Sequence, residues 1–506
     1  MRINRRTFLN ASLASLTVAA MPKALAMGQE SFKSEFQKAL LNKPFLSGYQ
    51  SAAQTSYQGK VSLKGKLPKA LQGTLFRNGP AQHEIGDFRY QHWFDGDGMI
   101  HAYQLGDGAL NHRSRMIETT KYKAEQAEGR AMYPGFGTIP ENPGALTSPD
   151  LVNVGNISVL PHHGKLLALW EAGSPWEIDP DSLKTEGLYQ FSDDTRGVPF
   201  SAHPRVEPDG TLWNFGYVSG ANLIVFWHID KNGKIVKMGK VKSDPISMPH
   251  DFVVTKNHIV MLMPPLNYSR SNRHGAFLDV HNWQPEQSTR VLVVDKSDFN
   301  QHRWLELPSQ WVFHFGNAFE DKNGVIQFDG ARASDPSVMT ENFRAIMRGE
   351  VLKPEPSHLY QYRIDTKSWL VSEESVLPDT IDAEFPTIDP RVSTEQHKNL
   401  VFMSSDIKSP AVHQNLNQVS RFNYQSGELT SFRYPDSQIP EEHLFVPAAN
   451  SRPESKGWVL GTAHDWQKAE TVLNIFDYEA VDAGPIASAT LPYGMPLGLH
   501  GKFVSG

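Results

Sequence analysis

"TLWNFGYVSGANLIVFWHIDKNG", Thr211 to Gly233, decides the fold. Two runs rich in β-branched and aromatic residues, Thr211–Val218 and Asn222–Asp230, are separated by small residues. The second run ends in Asp and meets the turn signal Lys231-Asn232-Gly233. Such runs read as short paired strands, and the Asn-Gly turn reads as a hairpin connection. The same grammar recurs along the chain. "KLLALWEAG" (Lys165–Gly173), "HIVMLMP" (His258–Pro264), "RVLVVD" (Arg290–Asp295), "LYQYRID" (Leu359–Asp365) and "TVLNIFDY" (Thr471–Tyr478) are all strand-like. Turn signals stand at Gly106-Asp107-Gly108, Pro208-Asp209-Gly210 and Lys322-Asn323-Gly324. Helical periodicity is scarce, with candidates at Ser31–Leu41 and in a charged stretch, Thr119–Tyr133. Many short strands without a Pro/Ser/Gly-rich linker favour one β-propeller over two or three separate β domains. The internal repeat is too weak to count blades.

The chain has 506 residues, 39% hydrophobic and 21% charged, the profile of a globular protein with ample core. Its formal charge of −6 leaves no basic footprint for nucleic acid. There is no cysteine, so thiolate metal sites, disulfides and thiol nucleophiles are all excluded. Any metal chemistry must use His, Asp and Glu. Residues 1–26 read as a targeting segment. Arg5-Arg6-Thr7-Phe8-Leu9, a mildly apolar run and Ala24-Leu25-Ala26 match a twin-arginine signal with its cleavage site. That implies the twin-arginine export machinery as a partner and the periplasm as destination. Residues 27–45 are expected to form an N-terminal segment, and 46–506 a single β-propeller domain. No later stretch reaches the roughly 18–20 apolar residues of a membrane span.

Of 20 histidines, most sit in polar turns or loops, as His162, His163, His397 and His413 do, and His464 lies at a strand end. Four stand apart: His203 in "PFSAHPRVEPDG", His250 in "SMPHDFVV", His314 in "WVFHFGNAFED" and His500 in "GLHGKF". Each is flanked by apolar, small or proline residues beside a strand-like segment. Burying a lone imidazole is costly, and four converging on a propeller axis would find their partner in a metal. The donor type alone leaves zinc, manganese and iron open. The glycines at 494, 498 and 501 predict tight turns around His500.

The chain resembles the carotenoid cleavage oxygenase family, which includes apocarotenoid oxygenases and stilbene-cleaving dioxygenases. The matching blocks run in family order. They are "GTLFRNGPA" (Gly73–Ala81), "HWFDGDGMIHAY" (His92–Tyr103), "LWEAGSPWEIDPDSLKTEG" (Leu169–Gly187), "SAHPRVEPDGTLWNFGY" (Ser201–Tyr217), "MPHDF" (Met248–Phe252), "FHFGNAFED" (Phe313–Asp321), "DAEFPTIDPR" (Asp382–Arg391), "EEHLFVP" (Glu441–Pro447) and "LPYGMPLGLHG" (Leu491–Gly501). The resemblance implies an all-β, seven-bladed propeller, with a few short helices and loops capping an axial metal site. It implies one Fe(II) per chain held by His203, His250, His314 and His500. It places carboxylates behind the ligands at Glu171, Glu384 and Glu442, with Glu441 the neighbour competing for the third place. Anionic partners on ring N–H groups would offset the metal charge and fix each tautomer. "HWFDGDGM" then reads as a structural turn through Asp95 and Asp97, and its spacing is not that of an EF-hand calcium loop.

The resemblance further implies an O₂-dependent enzyme that splits a C=C bond of a lipophilic conjugated alkene into two carbonyl products. Trp170, Phe313 and Phe385 are the expected substrate contacts. Carotenoids or apocarotenoids are the first substrate class, and such lipophiles would call for peripheral contact with a membrane. Stilbenoids are the alternative. Stilbene-cleaving relatives hold a phenol with a tyrosine and a lysine; the nearest matches are Lys123, then Lys121, with Tyr90 as the tyrosine. Lys121, Lys123, Glu125, Glu128 and Arg130 also read as the charged face of a surface helix. Two further readings are a non-catalytic lipophile-binding propeller and the isomerising hydrolysis of one animal branch. Four intact histidines argue against the first of these.

Overall fold

The computed structural model describes residues 29–269 and 275–506, so the expected signal at 1–26 lies outside the described residues. The strand-like runs are strands, and they assemble into seven antiparallel sheets arranged as the blades of a propeller. Blade 1 begins at Ser158–His162 and blade 2 at Arg205–Val206. Blade 3 begins at Val253–Val254, blade 4 at Trp311–Glu320, blade 5 at Ile381–Thr387 and blade 6 at Gln438–Pro447. In each, this first strand is the inner edge, and later strands step outward by hairpins. Blade 2 contains the opening hairpin, with Leu212–Val218 paired to Leu223–Ile229 in register from Leu212↔Ile229 to Val218↔Leu223. Both strands are buried nearly throughout, because each blade face packs on a neighbouring blade.

Blade 7 is built from both ends of the chain. Its inner strand is Gly501–Ser505, paired to Gly73–Gln82, and its outermost strand is Ser56–Lys60. Blade 6 in turn takes Ser62–Gly65 as its outer strand. The ring is thus sealed by hydrogen bonds between residues more than 400 positions apart in sequence. The three C-terminal glycines do not serve turns: none has a left-handed φ. They allow close approach. A Cβ on Gly79 would lie 2.3 Å from the Gly498 Cα, and one on Gly501 would lie 2.7 Å from the Phe76 carbonyl oxygen. The expectation of turns is corrected to one of backbone contact.

Two helices fall where periodicity placed them, at Gln29–Asn42 and Thr120–Glu128. The second is capped by the Thr119 hydroxyl and ends at Gly129 in the left-handed region. It is not a uniformly solvated charged helix, since Lys121, Tyr122 and Glu125 are buried. No helix among the described residues is long and apolar enough to cross a membrane. Short helical segments at Trp93–Asp95 and Val338–Arg348 cap one mouth of the ring and carry Phe94, Val338 and Phe343 into a cavity wall.

Blades are tied edge to edge by polar contacts as well as apolar packing. Glu320, at the end of the blade 4 inner strand, accepts from the His258 ring nitrogen (2.9 Å), the Asn257 backbone N–H (3.1 Å) and the Thr255 hydroxyl of blade 3. Burial works to raise its pKa, but the bonds from His258, Thr255 and Asn257 outweigh it and hold the carboxyl at about 2. A depressed carboxyl pKa stabilises the fold above its unfolded value and loses that contribution as pH falls. Glu320→Gln is therefore expected to cost about 1–2 kcal/mol at pH 7. Thermal melts should show the gap at full size above pH 5 and narrowing stepwise from pH 4.5 toward pH 2.5. A gap that stays constant over that range would show that Glu320 does not act through its charge.

Candidate metal centre

Each of the seven blades sends one titratable side chain to the axis. Glu171 follows the second strand of blade 1, His203 precedes blade 2 and His250 precedes blade 3. His314 lies within the inner strand of blade 4, Glu384 in that of blade 5 and Glu442 in that of blade 6. His500 precedes the inner strand of blade 7. Three of these residues sit at breaks in register. Pairing shifts between Val312 and Phe315, between Glu384 and Thr387, and between Pro440 and His443. A bulge re-aims a side chain that strict alternation would direct into a blade face. Phe385, just after Glu384, takes φ +55°, a strained value for a bulky residue, and its N–H bonds the Glu384 carboxylate at 2.7 Å.

The four imidazoles cluster around one point. The His203 and His250 Nε2 atoms lie 2.9 Å apart, and the ring centroids of His203 and His500, and of His314 and His500, are 4.8 Å apart. Three of the rings are held from behind. His250 Nδ1 faces Glu171 at 3.0 Å, His314 Nδ1 faces Glu384 at 2.6 Å, and His500 Nδ1 faces Glu442 at 2.9 Å. A carboxylate at Nδ1 fixes the proton there and leaves the Nε2 lone pair free to ligate. The third carboxylate is thus Glu442. Its neighbour Glu441 instead accepts from the Thr462 hydroxyl and the Gly498 N–H, clamping the segment that delivers His500.

These residues fit a metal. His314 Nε2 is buried with no hydrogen-bond partner, and His203, His314 and His500 offer ring nitrogens within 4.8 Å of one another. Burial, then the neighbouring imidazoles, push the His203 pKa well below its usual value; burial followed by His500 and His250 does the same for His314. Both rings are therefore neutral, the form that ligates. The carboxylates differ. Burial lifts Glu384 to about 8, whereas for Glu442 the pull of burial is overcome by His500 and Arg77, and its pKa is lowered. Arg77, itself buried, also donates to the carbonyls of Glu442 (3.0 Å) and Leu499 (3.2 Å).

Two apolar cavities meet beside this centre. The larger encloses about 1170 Å³, mouth included, and is lined by His250, His314, His500, Phe313 and Phe385 among others. The smaller, about 840 Å³, is walled by Trp170, Phe136, Tyr217 and Phe277 and reaches Glu171. Phe94 and Ile157 line both. All three expected aromatic contacts therefore face a cavity. Lys123 does not: its side chain is 60% exposed and its ammonium faces Glu118 at 3.8 Å. That assignment is corrected by helix phase, since residues two apart point to nearly opposite sides. Lys121 is the inward lysine. Its ammonium lies 2.7 Å from the Tyr90 hydroxyl, 2.8 Å from Glu125 and 3.1 Å from Asp97. Asp95 is structural, taking N–H bonds from Phe136 (2.5 Å) and Gly137 (3.1 Å) and the Thr138 hydroxyl (2.6 Å), which sets Phe136 against the smaller cavity. Phe94, Ile157, Tyr217 and Arg77 were not singled out from the sequence, although all but Ile157 lie inside the blocks quoted above.

Residues 49–505 match the model of the retinal pigment epithelial membrane protein family. The chain belongs to this family, the carotenoid cleavage oxygenases. It is 28% identical over 493 residues to apocarotenoid-15,15'-oxygenase of Synechocystis, covering 93% of this chain and 98% of that one. It is 26% identical over 463 residues to isoeugenol monooxygenase of Pseudomonas putida, covering 88% and 94%. The structure of cobalt-substituted Synechocystis apocarotenoid oxygenase superposes with a TM-score of 0.82 at 26% identity, covering 92% of this chain and 99% of that one.

The geometry makes a direct prediction. Chelator-stripped protein titrated with divalent metal should bind about one equivalent. His500→Ala should lose that site, and Glu442→Gln should weaken it by about 10–100-fold. Unaltered binding in His500→Ala would place the metal elsewhere.

Proposed function

We propose that this chain is an iron(II)-dependent dioxygenase that cleaves a C=C bond of an elongated conjugated substrate of the carotenoid or apocarotenoid class. His203, His250, His314 and His500 would hold the iron, with Glu171, Glu384 and Glu442 orienting three of the rings. When bound, iron(II) supplies the one-electron chemistry that lets O₂ react with an alkene. The balance is one alkene and one O₂ giving two carbonyl products, with no proton consumed, so no acid, base or nucleophile is required of the protein. Its residues position the alkene and keep water out.

The observation that carries this reading is the pair of largely apolar cavities that share Phe94 and Ile157 as wall residues, the larger of them lined by His250, His314 and His500. A long polyene can place one half in each, with its reacting bond between. Aromatic and aliphatic side chains make up most of the exposed wall of both, which suits a hydrocarbon chain, while carboxylates line the larger one at Glu355, Asp382, Glu384, Glu441 and Glu442. The similarity to apocarotenoid-15,15'-oxygenase supports the same class.

A second reading, a phenolic alkene, draws on the buried contact of Tyr90 with Lys121 and on the similarity to isoeugenol monooxygenase. The surroundings of that pair weigh against it. Burial works against the ammonium, but Asp97, Tyr90 and Glu125 outweigh it and hold its pKa above the usual lysine range. The ammonium's contacts are these three protein groups, and neither Tyr90 nor Lys121 lines either cavity. We also propose export to the periplasm by the twin-arginine route, supported by Arg5-Arg6 and Ala24-Leu25-Ala26. Replacing both arginines by lysine should then hold the protein in the cytoplasm, and unchanged periplasmic yield would contradict it.

Iron-loaded protein offered apocarotenals and 4-hydroxystilbenes should cleave the former with the higher kcat/KM, giving two carbonyl products by mass. Lys121→Met leaves two buried carboxylates uncompensated and should lower stability by about 3–5 kcal/mol without changing the preference between substrates. Selective loss of hydroxystilbene cleavage in that variant, from a wild type that prefers hydroxystilbenes, would make the phenolic reading the correct one.

A further inference from the structure

The three carboxylates behind the imidazoles are not held alike. Glu384 and Glu442 lie on inner strands, and each takes a second bond from a backbone N–H, that of Phe385 (2.7 Å) and that of Gly501 (2.7 Å). Glu171 lies in a turn beyond the end of its strand at Leu169. Its second bond comes from a side chain: the Tyr217 hydroxyl donates to Oε1 at 3.0 Å, while Oε2 faces His250 Nδ1 at 3.0 Å. A carboxylate on a turn has more torsional freedom than one on a strand, so this phenol takes the place of the sheet.

Tyr217 is well placed for that. It lies on the second strand of blade 2, next to the last pair of its ladder and opposite Ile224, and is 6% exposed. Its hydroxyl stays protonated, because burial and then Glu171 raise its pKa well above the usual phenol value. It therefore remains a donor to the Glu171 side chain. The same ring is part of the smaller cavity's wall, 6.5 Å from the Phe277 ring centroid.

We propose that Tyr217 is a positioning residue: through Glu171 it fixes the orientation of His250, and it ties the wall of the smaller cavity to the ligand set by a hydrogen bond. This rests on the metal centre proposed above. Groups bonded directly to a ligand are worth about 10–100-fold in metal affinity, and Tyr217, one step further back, acts at the lower end of that range.

The test is a double-mutant cycle read by cobalt(II) binding to chelator-stripped protein. Tyr217→Phe keeps the apolar ring and the strand, and its thermal melt should stay within a few degrees of wild type. Its cobalt(II) dissociation constant should rise about 10-fold, with a shift in the visible cobalt bands. Glu171→Gln should weaken binding by itself. Adding Tyr217→Phe to Glu171→Gln should then change affinity by less than about 2-fold, because the group through which the phenol acts on His250 has already been replaced. A Tyr217→Phe affinity and spectrum equal to wild type, or effects that simply add, would overturn the inference. His500→Ala measured alongside separates the two levels. If it loses cobalt while Tyr217→Phe does not weaken, only the role of Tyr217 fails; if it too binds as wild type, the metal centre itself is misplaced.

Discussion

Closure of the ring is the constraint on which the rest of the structure depends. Gly501–Ser505 can pair with Gly73–Arg77 only when all seven blades are in place, because the two strands come from opposite ends of the chain. The same pairing sets His500 on the axis, one residue before the strand begins. Its neighbours are pinned on both sides: Leu499 N–H bonds the Asn78 carbonyl at 2.9 Å, and His500 N–H bonds the Ile157 carbonyl of blade 1 at 3.3 Å. The strand pair that closes the ring thereby also positions the centre. Loop-closure entropy is spent once, on the sheet, and the site inherits its rigidity.

A propeller suits this chemistry because its axis gathers groups from the whole chain without requiring any two to be near in sequence. The inner edges alone would direct alternate side chains into the blade faces. Register breaks at His314, Glu384 and Glu442 turn those residues toward the centre instead. Four neutral donors leave a bound divalent metal with its full charge, and three carboxylates behind them supply the compensation without occupying its coordination sphere. The cavities on either side are then free to be apolar.

Much of this was legible in the chain. Strands such as Leu223–Ile229 and His258–Met263 carry β-branched and aromatic runs with strong turn signals, and they fall where expected. The four histidines stood out because apolar and small neighbours made a solvated role improbable. The blade number was not legible, because the inner strands of blades 2 and 3 are only two residues long, Arg205–Val206 and Val253–Val254. The choice of Glu442 over Glu441 was not legible either. It depends on a bulge that lets two adjacent glutamates serve different partners, His500 and the Gly498 N–H. Lys123 was misplaced because charge composition does not report helix phase, and the i, i+4 pair Lys121–Glu125 is the buried one. Tyr217 escaped notice for a related reason: a tyrosine in a fully buried strand reads as core until its hydroxyl acquires a partner from another blade.

The central claim is that seven blades converge on one metal bound by four imidazoles with no carboxylate ligand. Crystals of iron-loaded protein, measured on both sides of the iron absorption edge, test it most directly. The account predicts a single anomalous peak per chain, about 2.1 Å from one nitrogen each of His203, His250, His314 and His500, with Glu171, Glu384 and Glu442 one ring further out. A peak bonded to any of those carboxylates, or lying away from the axis, would contradict it.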